Sequence, residues 1–196
     1  MTVSHHPDHQ QPTTTVLIVE DEPAISDLYA RWLDDNHDVR IARTGSAALS
    51  SLDENVDIVL LDRRLPDIAG EELLSDIRSR EFNCRVAIIS TVEPDIDIIN
   101  LGFDLYVEKP VTDPETLLQA VDTLRQRSEF DARMQEYLSL ASKKATLESN
   151  KPPKELRTNE EYLGLLDRVR ELKEDLQEVT MSLDDDDLRV SFSGDR

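Results

Sequence analysis

Cysteine is nearly absent: Cys84 stands alone among 196 residues, so no disulfide can close within one chain and a stapled secreted scaffold is excluded. Long apolar runs are absent too. None approaches the roughly 18 residues that cross a bilayer. The start, Met1-Thr2-Val3-Ser4-His5-His6-Pro7, lacks a basic cluster and an apolar stretch. It does not read as a secretory signal, and the expected location is cytoplasmic. Positive charge is scarce: 22 basic residues, six of them lysine, face 42 acidic ones, for a formal net of −20. That surplus argues against tight nonspecific DNA binding. It also disfavours the compact state by self-repulsion in dilute buffer, and molar salt shortens the Debye length to about 3 Å and screens it. A halophilic protein in a salt-rich cytoplasm is the expectation.

The composition is 38 % hydrophobic and 33 % charged, which suits one well-formed core with a polar appendage. Residues 1–13 are polar and aperiodic and read as a disordered tail; His5, His6 and His9 within it read as solvated. From Thr14 short apolar, β-branched runs alternate with helical patterns. Val16-Leu17-Ile18-Val19, Val39-Arg40-Ile41-Ala42, Ile58-Val59-Leu60-Leu61, Val86-Ala87-Ile88-Ile89 and Leu105-Tyr106-Val107 read as strands. Helices are expected from Pro23, after a Thr44 cap, over Glu71–Arg80, over roughly Pro94–Leu101, and after an Asp113 cap. Five strands alternating with five helices predict an α/β fold with a parallel sheet covered on both faces.

In such sheets chemistry gathers beyond the carboxyl ends of the strands. Glu20 and Asp21 follow the first strand, Asp62 the third, Ser90 and Thr91 the fourth, and Lys109-Pro110 the fifth. Converging carboxylates repel one another unless a cation lies among them. Hard oxygen ligands with open positions suit Mg²⁺. A hydroxyl can bond a phosphoryl oxygen, and Lys109 offers it a point charge. Any one of these residues alone reads as a cap or turn residue. Their ordered coincidence predicts a phosphoryl-transfer site.

Val16-Leu-Ile-Val-Glu-Asp-Glu22, Leu61-Asp-Arg-Arg-Leu-Pro-Asp-Ile-Ala-Gly70 and Tyr106-Val-Glu-Lys-Pro-Val111 resemble the signature segments of response-regulator receiver domains. The resemblance covers about residues 14–128. It implies a flavodoxin-like, doubly wound sheet of order 2-1-3-4-5, with Asp62 as phosphoacceptor for a sensor histidine kinase. It further implies that Glu20, Asp21, Asp62 and the backbone carbonyl of Arg64 hold Mg²⁺. Lys109 would contact the phosphoryl group, and the Lys109-Pro110 peptide would be cis. Tyr106 and a hydroxyl would form the switch, the hydroxyl being Ser90 or Thr91, with strand length favouring Ser90. Such a chain is a phosphoacceptor that catalyses only its own phosphorylation and dephosphorylation. The segment between the hydroxyl and Lys109 is shorter than is usual in the family, so the fourth helix must be short or irregular.

Beyond Arg127 the pattern stays helical in a new phase: Phe130, Met134, Tyr137 and Ala141. Lys151-Pro152-Pro153-Lys154 ends that helix. Thr158-Asn159-Glu160-Glu161 reads as a capping box for another. There Tyr162, Leu165, Val169, Leu172, Leu176, Val179 and Leu183 recur at coiled-coil spacing, and Arg170–Glu174 is an expected i,i+4 pair. Asp184–Asp187 is expected to end the ordered part, leaving 184–196 as an acidic tail. The stripe needs a partner, either the preceding helix in an antiparallel hairpin or a second copy in a homodimer. Tyr137–Glu148 and Asn159–Leu166 resemble the HalX domain, which is attached to receivers in haloarchaea, over about 128–184; the helical domain is set at 129–183. Residues 129–196 hold 11 basic and 17 acidic side chains, a net of −6. Charge therefore does not support DNA as partner, and no basic stripe or helix-turn-helix is evident. Two outputs follow: a phosphorylation-controlled helical protein-interaction domain, or a DNA-binding transcriptional regulator under the same control.

Overall fold

A computed structural model describes residues 13–80, 82–92 and 101–186, and shows the chain as two units divided between Gln126 and Arg127. The first unit contains strands β1 (Thr15–Val19), β2 (Asp38–Ala42), β3 (Ile58–Asp62), β4 (Arg85–Ser90) and β5 (Leu105–Glu108), and helices α1 (Pro23–Leu33), α2 (Gly45–Ser51) and α3 (Gly70–Ser79). Helix α4 (Pro114–Asn150) begins in it. All strands pair in parallel, in the order β2-β1-β3-β4-β5. The helix expected over Pro94–Leu101 lies almost wholly outside the described residues.

The alternation of side chains along each strand builds two cores. Val16, Ile18, Ile58, Leu60, Ala87 and Ile89 face one way and meet Tyr29 and Leu33 of α1 and Leu117, Val121 and Leu124 of α4. Leu17, Val19, Val59, Leu61, Val86 and Ile88 face the other and meet Ala48 of α2 and Leu73, Leu74 and Ile77 of α3. β1 and β3 are buried at every position, which is why they read as unbroken apolar runs rather than alternating ones. Each such Leu or Ile contributes about 1.5–3 kcal/mol by leaving water.

Local chemistry sets the helix starts. Pro23 occupies the first turn of α1, where a missing N–H costs nothing. Thr44 Oγ1 accepts from Ala47 N at 3.1 Å, and Asp113 Oδ1 accepts from Thr116 N at 2.9 Å at the start of α4.

The second unit contains the later part of α4, the single turn α5 (Pro153–Leu156) and α6 (Glu160–Asp186). The caps here differ from the expected box. Asn159, not Thr158, starts α6: its Oδ1 accepts from Tyr162 N at 2.8 Å, while Thr158 Oγ1 turns back to the carbonyls of Lys154 and Glu155. Both residue types start helices well, Asn somewhat better than Thr, and here it is the Asn159 amide oxygen that meets a first-turn N–H. Arg170 pairs with Asp167 at 2.6 Å, the i,i+3 alternative to the expected Glu174. Helix α6 runs through Asp186, so Asp184, Asp185 and Asp186 continue the helix rather than end it.

Tyr162 Oη donates to Glu148 Oε1 at 2.8 Å, and Arg168 forks onto Glu136 at 2.9 Å through both nitrogens. Partner numbers fall along α4 as they rise along α6, so the helices are antiparallel. Tyr162, Leu172 and Leu176 are buried. The hairpin covers this part of the stripe; the side chains of Val179 and Leu183 lie outside the description. Among the described residues no helix is long and apolar enough to cross a membrane.

Candidate functional site

The parallel register brings the predicted residues to one rim. Val19 pairs with Leu61 and Asp62 with Ile89, so Glu20, Asp62 and Ser90 emerge side by side at the carboxyl ends of β1, β3 and β4. Ser90 pairs with Glu108, and its carbonyl accepts from Lys109 N at 2.8 Å. That bond ties the next residue of β5 into the same row. The Lys109-Pro110 peptide is cis.

Lys109 joins the acids. Its Nζ donates to Glu20 Oε2 at 2.6 Å and also contacts Asp62 Oδ2. Burial pushes the Glu20 carboxyl up against the pull of Lys109. For Lys109 burial acts downward, but the hydrogen bonds it donates to Asp62 and Glu20, with their negative charge, together outweigh it and raise the ammonium. Asp62 Oδ1 accepts from Arg64 N at 2.8 Å. Glu20 Oε1 accepts from Glu22 N at 3.2 Å. Asp62 is thus gripped on both oxygens while 9 % of it stays exposed.

Glu20, Asp21 and Asp62 each present an oxygen within 4.8 Å of the others. Three carboxylates against one ammonium leave a net charge of −2. This donor set is all hard oxygen with the charge of a divalent cation's complement, so the residues fit Mg²⁺.

In front of the acids lies a cleft of about 610 Å³, lined by Asp21, Asp62, Arg64, Thr91, Lys109 and Tyr29 among others. Thr91 is exposed and faces this cleft. Ser90 is buried at the end of β4, its Oγ accepting from Val92 N at 3.1 Å. Tyr106 is half-buried on β5, its ring edge-on to Phe103 at 5.8 Å, and its hydroxyl donates to the Val92 carbonyl. The tyrosine and the segment after the hydroxyl are therefore joined directly.

Asp67 was not singled out from sequence. It accepts from Gly45 N at 2.8 Å and from Ser46 N at 3.0 Å, and Ser46 Oγ donates to it at 2.8 Å. These bonds depress its carboxyl to about 2. They fasten the loop after Asp62 to the start of α2. A Cβ at Gly45 would lie 2.0 Å from Ile68 Cγ2, so only glycine lets the loop approach so closely. In sequence Asp67 shows only as part of a Pro-Asp turn. Tyr29 belongs to the core beneath α1 and also lines the cleft; burial pushes its hydroxyl up.

Comparison with known proteins agrees with this geometry. Residues 16–122 match the response regulator receiver domain and residues 126–192 the HalX domain. A Haloferax volcanii protein named "Putative transcriptional regulator" is 39 % identical over 85 % of this chain and 28 % of its own length. The chain spans between about a quarter and just over half the length of the curated relatives it matches. A CheY-like receiver domain protein of Methanospirillum hungatei is 28 % identical, covering 60 % of this chain and 97 % of its own, with a TM-score of 0.55. A Thermotoga maritima response regulator, TrrA, solved in complex with Mg²⁺-BeF, is 27 % identical over 57 % of this chain and 99 % of its own, with a TM-score of 0.50. With its receiver match covering more than half of its length and a HalX domain following it, this chain belongs to the response regulators.

Proposed function

We propose that Asp62 accepts a phosphoryl group from a sensor histidine kinase and that the change of charge is passed to the HalX domain. The observation that carries this reading is the contact of Asp62 with Lys109, beside Glu20 and Asp21, at the mouth of an open cleft. In the reaction an Asp62 carboxylate oxygen attacks phosphorus. The new O–P bond forms as the donor's P–N bond breaks, and the leaving imidazole takes up a proton. Lys109 then moves its charge from the carboxylate toward the phosphoryl oxygens. Glu20, Asp21, Asp62 and the Arg64 carbonyl are the ligands for Mg²⁺. When bound, that ion supplies charge neutralisation for the entering phosphoryl group. The Thermotoga relative's Mg²⁺-BeF complex supports this assignment.

Ser90 serves as the switch hydroxyl, with Thr91 as the alternative. Turning it toward the phosphoryl group removes the acceptor of Val92 N. Tyr106 holds the carbonyl of the same residue, so the two side chains share one linkage. The functional division is a polar segment over 1–13, a receiver over 14–128, a helical domain from 129 whose last helix runs through Asp186, and an acidic segment after it. The structural division after Gln126 and the matched ranges support the central boundary. The protein turns over no substrate beyond its own acyl phosphate and works in a salt-rich cytoplasm. The name of the Haloferax relative favours transcriptional control as a second reading. A gel shift in molar KCl against promoter DNA tests that reading.

The primary test is labelling with phosphoramidate and Mg²⁺. Wild type should incorporate phosphate, and chelating Mg²⁺ before labelling should prevent it. Asp62→Asn should stay unlabelled, and undiminished labelling of that variant would overturn the assignment.

A further inference from the structure

Of six lysines in the chain, Lys143, Lys144, Lys151 and Lys154 fall within twelve consecutive positions, and Arg157 follows. From 143 to 157 these five cations face only Glu148 and Glu155, a local net of +3 in a chain of −20. Counting the whole C-terminal segment together hides this reversal. Lys144 pairs with Glu148 at 3.3 Å and Lys151 with Glu155 at 2.8 Å. Among the described residues Lys143, Lys154 and Arg157 have no ion-pair partner, and all three are exposed.

The same end of the hairpin holds a cleft of about 580 Å³. Leu147, Leu156, Tyr162 and Leu165 give it an apolar wall, and Lys143 and Lys151 line it too. Glu155 and Glu161 line it as well, the first held by Lys151. The charged side chains of the lining balance, but the unpaired Lys154 and Arg157 belong to the same short stretch of chain, and an apolar hollow in such a stretch suits a segment that carries both carboxylates and large apolar side chains.

We propose that this cleft receives residues 183–192 of a second copy of the chain, the two copies exchanging segments reciprocally. That stretch reads Leu-Asp-Asp-Asp-Asp-Leu-Arg-Val-Ser-Phe, four carboxylates against one arginine. Its net of −3 opposes the +3 of the patch, and Leu188, Val190 and Phe192 supply apolar anchors. The same copy cannot fill its own cleft. Along α6 from Leu165 to Asp186 the chain advances about 32 Å at the helical rise. The six residues from there to Phe192 span at most about 20 Å. Phe192 therefore falls short of its own Leu165, while a two-fold partner meets no such limit. Exposed ion pairs alone contribute little, and molar salt screens them. Burial of the anchors is not screened, so the exchange survives in salt. Duplex DNA matches the cations but makes no use of the apolar wall.

The test is the mass of the full chain in solution by sedimentation or light scattering, with the charge variants and their mixture read at about 0.1 M KCl, where charges are less screened, and wild type and Thr146→Trp read at molar KCl as well. Wild type should be a dimer. Lys143→Glu with Lys154→Glu and Arg157→Glu should raise the dissociation constant at least tenfold, as should reversal of Asp184–Asp187 to lysine. Thr146→Trp, which fills the cleft from an exposed position, should do the same. Mixing the two charge-reversed proteins should restore a heterodimer, because each segment then meets a cleft of opposite sign. That recovery shows both variants are folded. A monomeric wild type would overturn the proposal. So would a dimer indifferent to Thr146→Trp, or two reversed proteins that stay apart on mixing. A patch that instead binds a labelled duplex, with no self-association, would assign these cations to nucleic acid and equally overturn it.

Discussion

Lys109 and Glu20, 89 positions apart in sequence, meet at 2.6 Å beneath the cleft, with side chains only 9 % and 3 % exposed. A buried ammonium shared by two carboxylates keeps the acids close in the absence of any other cation. Removing it leaves like charges facing each other in a site poorly solvated.

Lys109→Met should therefore destabilise the receiver by about 3 kcal/mol, the cost of stripping one partner from a buried pair. Added Mg²⁺ should recover more melting temperature in this variant than in wild type, because a divalent cation replaces the lost charge. Thermal melts of both proteins across a Mg²⁺ titration check it. Equal Mg²⁺ response would contradict the placement of the acids around one ion.

Asp67 gives a pH-dependent contribution. Its folded carboxyl sits at about 2, below its ordinary value of 3.8. The stabilisation is thus present above the ordinary carboxylate range and fades as pH falls from 3.8 toward 2. Asp67→Asn should lower the melting temperature at neutral pH, and the gap to wild type should narrow on acidification. A gap constant down to the acid limit would count against the loop clamp.

The core between sheet and α4 offers a packing test. Leu117 is fully buried, and Leu117→Ala should cost about 2–5 kcal/mol through lost burial and the cavity left behind. Chemical denaturation should show a lower midpoint with an unchanged slope.

Salt should act on the whole chain. At −20, self-repulsion is relieved as the Debye length shrinks from about 10 Å at 0.1 M salt to about 3 Å at 1 M. Melting temperature should rise between dilute and molar KCl. A flat response would reject the halophilic reading.

The sheet was legible because β1 and β3 are buried on both faces, which permits only apolar residues there and leaves Asp62 conspicuous at the end of its run. Helix α1 was legible from Pro23, which opens it. What escaped notice depends on tertiary contact. Asp67 looks like any turn residue until α2 presents its first N–H groups to it. Thr158 and Asn159 are both good caps, and only the entry of the chain from α5 decides between them. The i,i+3 and i,i+4 partners of Arg170 differ by too little energy for sequence to rank them. The basic tip is hidden in the segment's net charge because the carboxylates on either side of 143–157 outnumber its cations.

The most direct measurement is the position of the phosphoryl group itself. Phosphorylated protein reduced with borohydride, digested and sequenced by mass spectrometry should carry the reduced residue at Asp62 and nowhere else. Reduction mapping to Asp21, Asp67 or any other carboxylate would contradict the account.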